Sequence, residues 1–286
     1  MEIILIVVIV VLLVLLAMWP KPDNSVAIVS LVKEPHQFET WFNYHKFQMK
    51  IDKFYIFTDE PDEKLGVTDP SLILIQNWKD RLGFKWDDSK DEPANRNEKQ
   101  RLAFEEAQRM AEADGVEWLI HIDSDELLHG TPPADVLSKT KSNSFKIKNW
   151  EMAPDRTDYN NCFIEGSKFH TNVNKYIAYI NGKSACRVGE GTWGGPHDIH
   201  SSGSTREISE DDLKILHYPS CNISETMKRA NQYGKFKDDS AGWSRHHKET
   251  RDVLTTCEDN CPIKAREQFQ KRMADDESTE VTLKFV

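Results

Sequence analysis

The chain has 286 residues, which is enough for one large α/β domain, or two small ones, with a sizeable core. It carries 47 acidic against 37 basic side chains, a formal net charge of −10. This acidic balance argues against a nucleic-acid-binding protein, which would present a basic stripe. We therefore expect no nucleic-acid partner.

The N-terminus begins with an unbroken apolar run from Ile3 to Met18, closed by Trp19, Pro20 and Lys21. As a helix, this run would span about 25 Å, which matches the thin bilayers of the early secretory pathway. No basic segment precedes it and no small-x-small cleavage site precedes Pro20. The sequence predicts a single-pass membrane anchor over 1–20, a short stalk over 21–25 and a domain facing the Golgi or ER lumen. The alternatives are a cleaved signal peptide and a buried helix.

Alternating strand and helix patterns follow the stalk. Strands are predicted at Val26–Val32, Lys53–Thr58 and Leu72–Ile75, with helices at Gln37–Met49 and Glu98–Ala113. The polar stretch Asn77–Asn95 is predicted to be a mobile loop. Strand, helix and strand at this spacing indicate a parallel sheet with right-handed crossovers.

Carboxylates follow the short apolar run Trp118–Ile122, which reads as a buried strand. In extended backbone, Asp123 and Asp125 would lie on one face of the chain, with Ser124 pointing away. Hard oxygen ligands at the end of a parallel strand suit Mg²⁺ or Mn²⁺ carrying a diphosphate. The alternative is a solvated acidic turn.

The second half continues the same alternation less regularly. Predicted strands lie at Ser144–Ile147 and Lys214–Pro219, and a helix is predicted at Ser224–Lys237. The Gly- and His-rich stretch Val188–Gly203 is predicted to be a loop. A charged helix is predicted from Pro262 onward.

The five cysteines form no paired zinc-binding pattern. Cys257 and Cys261 could close a small disulfide loop in an oxidising lumen. Equally, all five could be free thiols, and the sequence leaves both alternatives open.

Several short motifs occur in the order found in a known family. They are Val29-Ser-Leu-Val-Lys-Glu34, Trp41-x-x-Tyr44-His45, Phe54-Tyr-Ile-Phe57, Asp123-Ser-Asp125-Glu126, Phe163-Ile-Glu165-Gly, Gly182-Lys183-Ser184-x-x-Arg187, Gly195-Pro196-x-x-x-His200 and His217-Tyr218. In this order the chain resembles the GT-A glycosyltransferases of the family 2 and family 92 type. The resemblance implies an α/β fold with a GT-A-like, Rossmann-like, mostly parallel sheet flanked by helices. It places this domain at 26–240 and leaves 241–286 as a charged C-terminal extension.

The resemblance also implies an inverting transfer from a nucleotide-sugar donor to a glycan or glycoconjugate acceptor. Mn²⁺ or Mg²⁺ would be held by Asp123, Asp125 and His217, stabilising charge that develops on the leaving diphosphate. The alternative for His217 is a hydrogen-bonded core histidine. Donor contacts are expected from Val29, Lys33, Glu34, Asp59, Gln100, Arg101, Asp123, Lys183 and Arg187. For Lys183 and Arg187, the alternative is an ordinary surface charge.

An inverting displacement needs a general base near the acceptor hydroxyl. The candidates are Glu165, Asp198, His197 and Glu151. Glu165 is favoured, because its apolar neighbours predict partial burial and a raised pKa.

Two other function classes remain compatible with the sequence. A nucleotidyltransferase shares this architecture and metal chemistry but attacks a different phosphorus atom. A membrane-anchored glycan-binding module on an inactive transferase fold is disfavoured by the intact Asp123, Asp125 and His217.

Overall fold

The structure is a computed structural model of the protein. It describes residues 24–60, 62, 64–88, 92–139, 141–203, 205–219, 221–224, 266–267, 269–271 and 273–285. The predicted anchor over 1–20, nearly all of the helix predicted at Ser224–Lys237, and both Cys257 and Cys261 lie outside these residues. None of the helices in the described ranges is long and apolar enough to cross a bilayer.

Four parallel strands form the first half of the main sheet: β1 (Val26–Val32), β2 (Lys53–Thr58), β3 (Leu72–Ile75) and β4 (Trp118–His121). They lie in the order β3-β2-β1-β4, with β1 paired to both β2 and β4. Alternate residues of β1 enter two separate apolar clusters, Ile28 in one and Val29 in the other. Burial of both faces explains why these strands are continuously apolar. The predicted parallel α/β arrangement of this half is confirmed.

Short and long helices in the described part of the chain connect or flank the strands. They are α1 (Phe38–Asn43), α2 (Trp78–Arg81), α3 (Glu92–Asp114), α4 (Pro133–Leu137) and α5 (Cys162–Glu165), and α1 continues into a π-helical turn at Tyr44–Gln48. The loop predicted at Asn77–Asn95 is wrong at both ends, because α2 begins at Trp78 and α3 at Glu92. Trp78 is fully buried and its Nε1 donates to the Thr58 carbonyl at 2.9 Å. Burying this large indole stabilises a helical turn at α2, although most of the neighbouring residues in the sequence are polar.

The main sheet is extended by three further strands, β6 (Ser144–Ile147), β9 (Lys183–Arg187) and β12 (Thr205–Glu207). Its seven strands lie in the order β12-β6-β9-β4-β1-β2-β3. β9 runs antiparallel to both of its neighbours, β4 and β6. The N-terminal end of β9 therefore lies beside the C-terminal end of β4. The sheet is mixed, with more parallel than antiparallel pairs.

A second sheet and a hairpin complete the architecture. The second sheet has the order β14-β8-β7-β13-β5, formed by β5 (Glu126–Gly130), β7 (Asn149–Met152), β8 (Lys168–His170), β13 (Leu213–His217) and β14 (Thr279–Glu280). The hairpin pairs β10 (Gly191–Gly195) with β11 (Asp198–Ser201). The prediction of a loop at Val188–Gly203 is therefore wrong. The two halves of this glycine-rich segment pair with each other and form the hairpin.

The C-terminal residues pack against the domain. β14 pairs with β8, Val281 lies in the core, and Phe285 packs against Tyr44 with ring centroids 5.2 Å apart. The boundary predicted at residue 240 is therefore not the end of the packed domain. A few apolar residues in a charged segment are enough to dock it, since each buries apolar surface against the core of the domain.

A disulfide joins Cys162 of α5 to Cys221, 59 positions along the chain. The alternative of five free thiols is therefore wrong, while Cys186 is free and buried. Closing a loop of this length stabilises a protein by about 4 kcal/mol in the chain-entropy model. The bond ties α5 to the segment that follows β13, close to His217.

His45 fixes α1 and its π-helical turn against β5. One ring nitrogen, Nδ1, lies 2.8 Å from the Trp41 carbonyl, and the other, Nε2, accepts from the Leu128 N–H at 3.1 Å. Nδ1 is therefore the protonated nitrogen, and a second proton on Nε2 would face the Leu128 N–H. Burial lowers the pKa of His45 from 6.5 to about 3.

We predict that His45 makes the protein less stable as the pH falls below 6.5. The folded pKa lies below the unfolded value, so this contribution to stability is fully present above 6.5 and is lost progressively down to about 3. His45→Gln, whose amide can also donate and accept, should lose about 1.4 kcal/mol less than the wild type between about pH 7.5 and 5.5. Urea unfolding at both pH values measures this difference.

The matched control is His200→Gln, which replaces an exposed histidine and should keep the wild-type pH dependence. An unchanged pH dependence in His45→Gln would show that His45 is protonated in the folded protein and that its assigned hydrogen bonds are incorrect.

Candidate active site

The aspartates that follow β4 lie in a tight turn. β4 ends at His121, and the N–H of Glu126 donates to the Asp123 carbonyl at 3.2 Å, closing a four-residue turn before β5 begins. The extended backbone predicted through Asp123 and Asp125 is therefore wrong. The turn places the two carboxylates against different partners, which an extended strand would not do.

Asp123 is paired with a buried lysine. Lys183 Nζ donates to Asp123 Oδ2 at 2.5 Å, lies 3.5 Å from Glu126 Oε2 and reaches the Pro196 carbonyl at 3.4 Å. The Lys183 side chain is completely buried, whereas that of Asp123 is 33% exposed. The antiparallel register of β4 and β9 brings these residues together, because Lys183 begins β9 beside the end of β4.

Asp125 faces His217 from the other side of the turn. His217 Nε2 lies 3.8 Å from Asp125 Oδ2, and His217 Nδ1 lies 3.7 Å from Glu151 Oε2. The second sheet creates this arrangement, since His217 at the end of β13 is in register with Glu126 of β5 and Glu151 of β7. Residues in register lie on one face of a sheet. Burial lowers the pKa of His217, but Asp125 and Glu151 more than offset this and raise it to about 9.

Tyr179 covers the cluster. Its hydroxyl donates to Glu126 Oε1, and its ring lies against His217 and His197, with centroids 4.7 and 4.4 Å away. The segment that carries Tyr179 is held by Glu151, whose carboxylate accepts from the N–H groups of Ile177 and Ala178 at 2.7 and 3.0 Å. Tyr179 and Glu151 therefore join the covering segment to the second sheet.

Negative charge exceeds positive charge in this cluster. Asp123, Asp125, Glu126 and Glu151 surround the cations Lys183 and His217, leaving a formal excess of two negative charges. Burial raises the pKa of Glu126 to about 7, and the neighbouring carboxylates act in the same direction. Both effects favour the neutral form of this side chain. Burial opposes the ionisation of Asp123, but the Lys183 ammonium offsets it and lowers the pKa of Asp123. Such gathering of perturbed acids is typical of functional sites.

The donor set fits a hard divalent cation in its chemistry. Two carboxylates and one imidazole are ligands that Mn²⁺ accepts, and the His217 nitrogen that faces Asp125 is Nε2. The other ring nitrogen, Nδ1, faces Glu151 and has no hydrogen bond in the described part of the chain. Among the described residues, however, the one set of three donors mutually within 4.8 Å is His36, Cys162 and Cys221, whose cysteines form the disulfide. Asp123, Asp125 and His217 are less closely gathered, and the metal site stays a prediction.

The structure brings together most of the predicted catalytic and phosphate-binding residues. The cluster contains Asp123, Asp125, Glu151, Lys183 and His217. His197 lies at its edge against the Tyr179 ring, and Asp198 follows it in the chain. His197 Nδ1 lies 2.9 Å from the Gly182 carbonyl, and burial followed by the nearby Lys183 lowers its pKa to about 4. Asp198 is 57% exposed and pairs with Lys146 at 2.6 Å.

Two of the predicted catalytic and phosphate-binding residues lie away from the cluster. Arg187 is in register with Trp118, at the opposite end of β4 from Asp123, and is paired with Glu117. The length of β4 alone, at about 3.3 Å per residue, separates those ends by about 10 Å or more. Glu165 pairs with Arg156 and accepts from the Asn161 N–H at 2.9 Å, contacts that are all local to α5.

The residues predicted to hold the nucleoside are distributed differently. Asp59, which follows β2, is paired with Lys79 at 3.3 Å and with Lys99. Val29 is part of the core and Lys33 pairs with Glu60 at 3.6 Å. Of the rest, Glu34 is exposed with a φ of 44°, Gln100 is buried in α3, and Arg101 pairs with Glu98 and Glu105 on the same helix. Asp59 with its lysines and the Lys33–Glu60 pair are charged groups that follow the C-terminal ends of β2 and β1.

Two residues of the cluster were not predicted. Glu126 follows Asp125 directly in the sequence Asp123-Ser-Asp125-Glu126. Its place beside the two aspartates was the signal that could have identified it. Tyr179 has no such signal, because it reaches Glu126 across 53 positions of sequence.

Gly182 sets the start of β9 and hence the position of Lys183. Its φ is +63°, and a Cβ there would overlap the Ile147 carbonyl oxygen and lie 2.9 Å from the carbonyl carbon. Gly189 has a similar φ of +81°, but nothing lies within 4 Å of its Cβ position. The two glycines therefore differ in the surrounding space and share the backbone conformation.

We predict that Gly182→Ala destabilises the protein more than Gly189→Ala. Both variants should lose about 1–2 kcal/mol for the left-handed conformation. Gly182→Ala should lose about 1–3 kcal/mol more, because β9 and the Ile147 backbone must separate. Chemical denaturation measures both losses, and equal losses would contradict the close approach of the two backbones.

The chain is similar to two proteins from Arabidopsis thaliana, each named glycosyltransferase-like. One is 27% identical over 253 residues, which cover 68% of this chain and 53% of the relative. The other is 29% identical over 165 residues, covering 48% of this chain and 32% of the relative. The chain thus spans about half the length of the first relative and about a third of the second, and no protein-family model matches it. Both names support a glycosyltransferase, and neither specifies a family, a metal, a donor or an acceptor.

Proposed function

We propose that the protein is a divalent-metal-dependent glycosyltransferase that moves a sugar from a nucleoside-diphosphate sugar to a glycan or glycoconjugate acceptor, with inversion. The observation that carries this proposal is the excess negative charge of the buried cluster at the C-terminal end of β4. Ligands of open α/β sheets bind at this end of the strands. The glycosyltransferase-like names of the relatives and the resemblance to the family 2 and family 92 type support the same reaction.

The negatively charged cluster would hold a divalent cation, and that cation would oppose the negative charge that develops during glycosyl transfer. As the sugar leaves, negative charge grows on the diphosphate oxygen that it leaves behind. A divalent ion held by Asp123, Asp125 and the neutral imidazole of His217 would supply the positive charge that stabilises this oxygen. Binding of the ion would displace the proton that His217 carries in the free protein. Lys183 contributes a second positive charge from within the protein, and its burial strengthens its electrostatic effect.

The acceptor side of the site is assigned to Asp198. Its carboxylate is more than half exposed, so an acceptor hydroxyl can reach it. It follows Pro196 and His197, and the Pro196 carbonyl contacts Lys183 at 3.4 Å. Glu165, favoured by sequence alone, makes its contacts around α5, where it pairs with Arg156. Asp198 is also paired with a cation, Lys146, so it is preferred because of its place in the chain next to His197. His197 is pinned between Tyr179 and the Gly182 carbonyl.

The cellular setting proposed is the lumen of the ER or Golgi, with the domain anchored by residues 1–20. The Cys162–Cys221 disulfide supports an oxidising compartment, since such bonds are rare in the cytosol.

We predict that Asp125→Asn loses transfer by at least about 10²-fold while the protein remains folded. The substitution removes one charge opposite His217 and keeps the side-chain shape. The measurement is release of nucleoside diphosphate from a panel of nucleotide sugars with Mn²⁺ and pooled glycan acceptors. Asp135→Asn, which replaces an exposed aspartate of α4, is the matched control and should retain full activity.

A nucleotidyltransferase would instead release pyrophosphate from a nucleoside triphosphate in the presence of a sugar 1-phosphate. Pyrophosphate release in that mixture, with no nucleoside diphosphate released from any nucleotide sugar, would contradict the proposal. Full activity of Asp125→Asn would remove Asp125 from the site.

A second variant pair tests the base. Asp198→Asn should bind donor nucleotide normally but transfer about 10²- to 10⁴-fold more slowly, because the acceptor hydroxyl then lacks a proton acceptor. Glu165→Gln should transfer at the wild-type rate. Single-turnover rates and nucleotide binding separate the two effects. The assignment fails when Glu165→Gln is the variant that binds donor without transferring it.

A further inference from the structure

Lys183 lies between the protein interior and the carboxylate that the solvent can reach. Its side chain is fully buried, and its ammonium contacts Asp123 Oδ2 at 2.5 Å and Glu126 Oε2 at 3.5 Å. The carbonyl of Pro196 lies 3.4 Å away and the ring of Tyr179 at 5.6 Å from Nζ. The ammonium therefore approaches Asp123 from the inside, while one third of the Asp123 side chain faces outward.

The backbone fixes this lysine in place. Lys183 is in register with Ile147 of β6, and the preceding Gly182 packs against the Ile147 carbonyl. The Gly182 N–H donates to Asn149 Oδ1 at 3.1 Å, and the Gly182 carbonyl meets His197. The backbone of Lys183 is therefore held in place, and its ammonium can change position only through rotation of the side chain.

An ion pair of this kind opposes the binding of a free divalent cation. The ammonium occupies one oxygen of Asp123, and a cation approaching the other oxygen meets a fixed positive charge in a region of low dielectric. A diphosphate changes this balance, because its oxygens bring negative charge and offer the ammonium new partners. The same lysine therefore disfavours the metal alone and favours the metal with a diphosphate.

We propose that Lys183 is the resident counter-ion of Asp123 and couples the binding of the divalent metal to that of the donor diphosphate. In the free protein the ammonium holds Asp123. When the metal and the diphosphate bind together, the ammonium is shared with the phosphate oxygens. This inference rests on the proposed function, since it assumes that Asp123 meets a metal–diphosphate complex. Couplings of this kind are typically about 5- to 150-fold.

The test compares Lys183→Met with the wild type, using the full chain in detergent. Mn²⁺ alone should bind the variant about tenfold more tightly, because the opposing charge is gone. The preformed complex of Mn²⁺ with inorganic pyrophosphate should bind it about tenfold more weakly, because the phosphate oxygens lose a cation. Electron paramagnetic resonance of Mn²⁺ and calorimetry of the complex measure the two affinities without any need for activity.

Two further variants control for effects on folding and on charge in general. Lys214→Met removes another largely buried lysine, which lies over the Trp150 ring and outside the cluster, and should change neither affinity. Lys183→Arg keeps the charge and should bind Mn²⁺ alone as weakly as the wild type. Lys183→Gln replaces the Met variant when thermal unfolding shows that the latter is not folded.

The wild type alone also tests the inference. It should bind the Mn²⁺–pyrophosphate complex at least about tenfold more tightly than Mn²⁺. Equal affinities, or an unchanged Mn²⁺ affinity in Lys183→Met, would overturn the role of Lys183 and leave the metal site standing. Absence of Mn²⁺ binding to every variant, with and without pyrophosphate, would overturn the proposed function together with this inference.

Discussion

The buried carboxylate of Glu126 is the interaction on which the site depends. One of its oxygens accepts the Asp123 N–H at 2.7 Å and faces Lys183, and the other accepts the Tyr179 hydroxyl. Its own carbonyl accepts Trp41 Nε1 at 2.7 Å, which joins the turn to α1. A fully buried acid without such partners would be strongly destabilising, and here its two side-chain oxygens are bonded to three different segments of the chain.

This arrangement explains why two sheets meet at one short turn. β4 ends the parallel half of the main sheet and β5 begins the second sheet, with only the turn between them. Charges delivered by β9 and by β13 therefore reach the same place from opposite sides. Lys183 comes from the main sheet and His217 from the second. Each cation balances one aspartate of the turn, and the remaining negative charge is the feature on which the proposed metal site rests.

The separation of the predicted residues follows from strand direction. β9 runs antiparallel to β4, so its first residue reaches Asp123 while its last, Arg187, reaches Trp118. Spacing along the sequence gave Lys183 and Arg187 the same expected role, and the register divided them. The covering segment behaves similarly, because Tyr179 is placed by the carboxylate of Glu151 and not by any local pattern. Both cases concern contacts between residues far apart in the chain.

The sequence by itself determined the strands whose apolar runs are continuous, and it placed Val26–Val32, Lys53–Thr58, Leu72–Ile75 and Ser144–Ile147 with the bounds observed. It also singled out Asp123, Asp125 and His217, because chemistry-bearing residues at strand ends are visible as local patterns. Only the tertiary structure decided that the aspartates lie in a turn, that Cys162 pairs with Cys221 and that Lys183 neutralises Asp123. Local propensity reports how a segment folds, whereas charge pairing and disulfide formation depend on the register of segments that are distant in sequence.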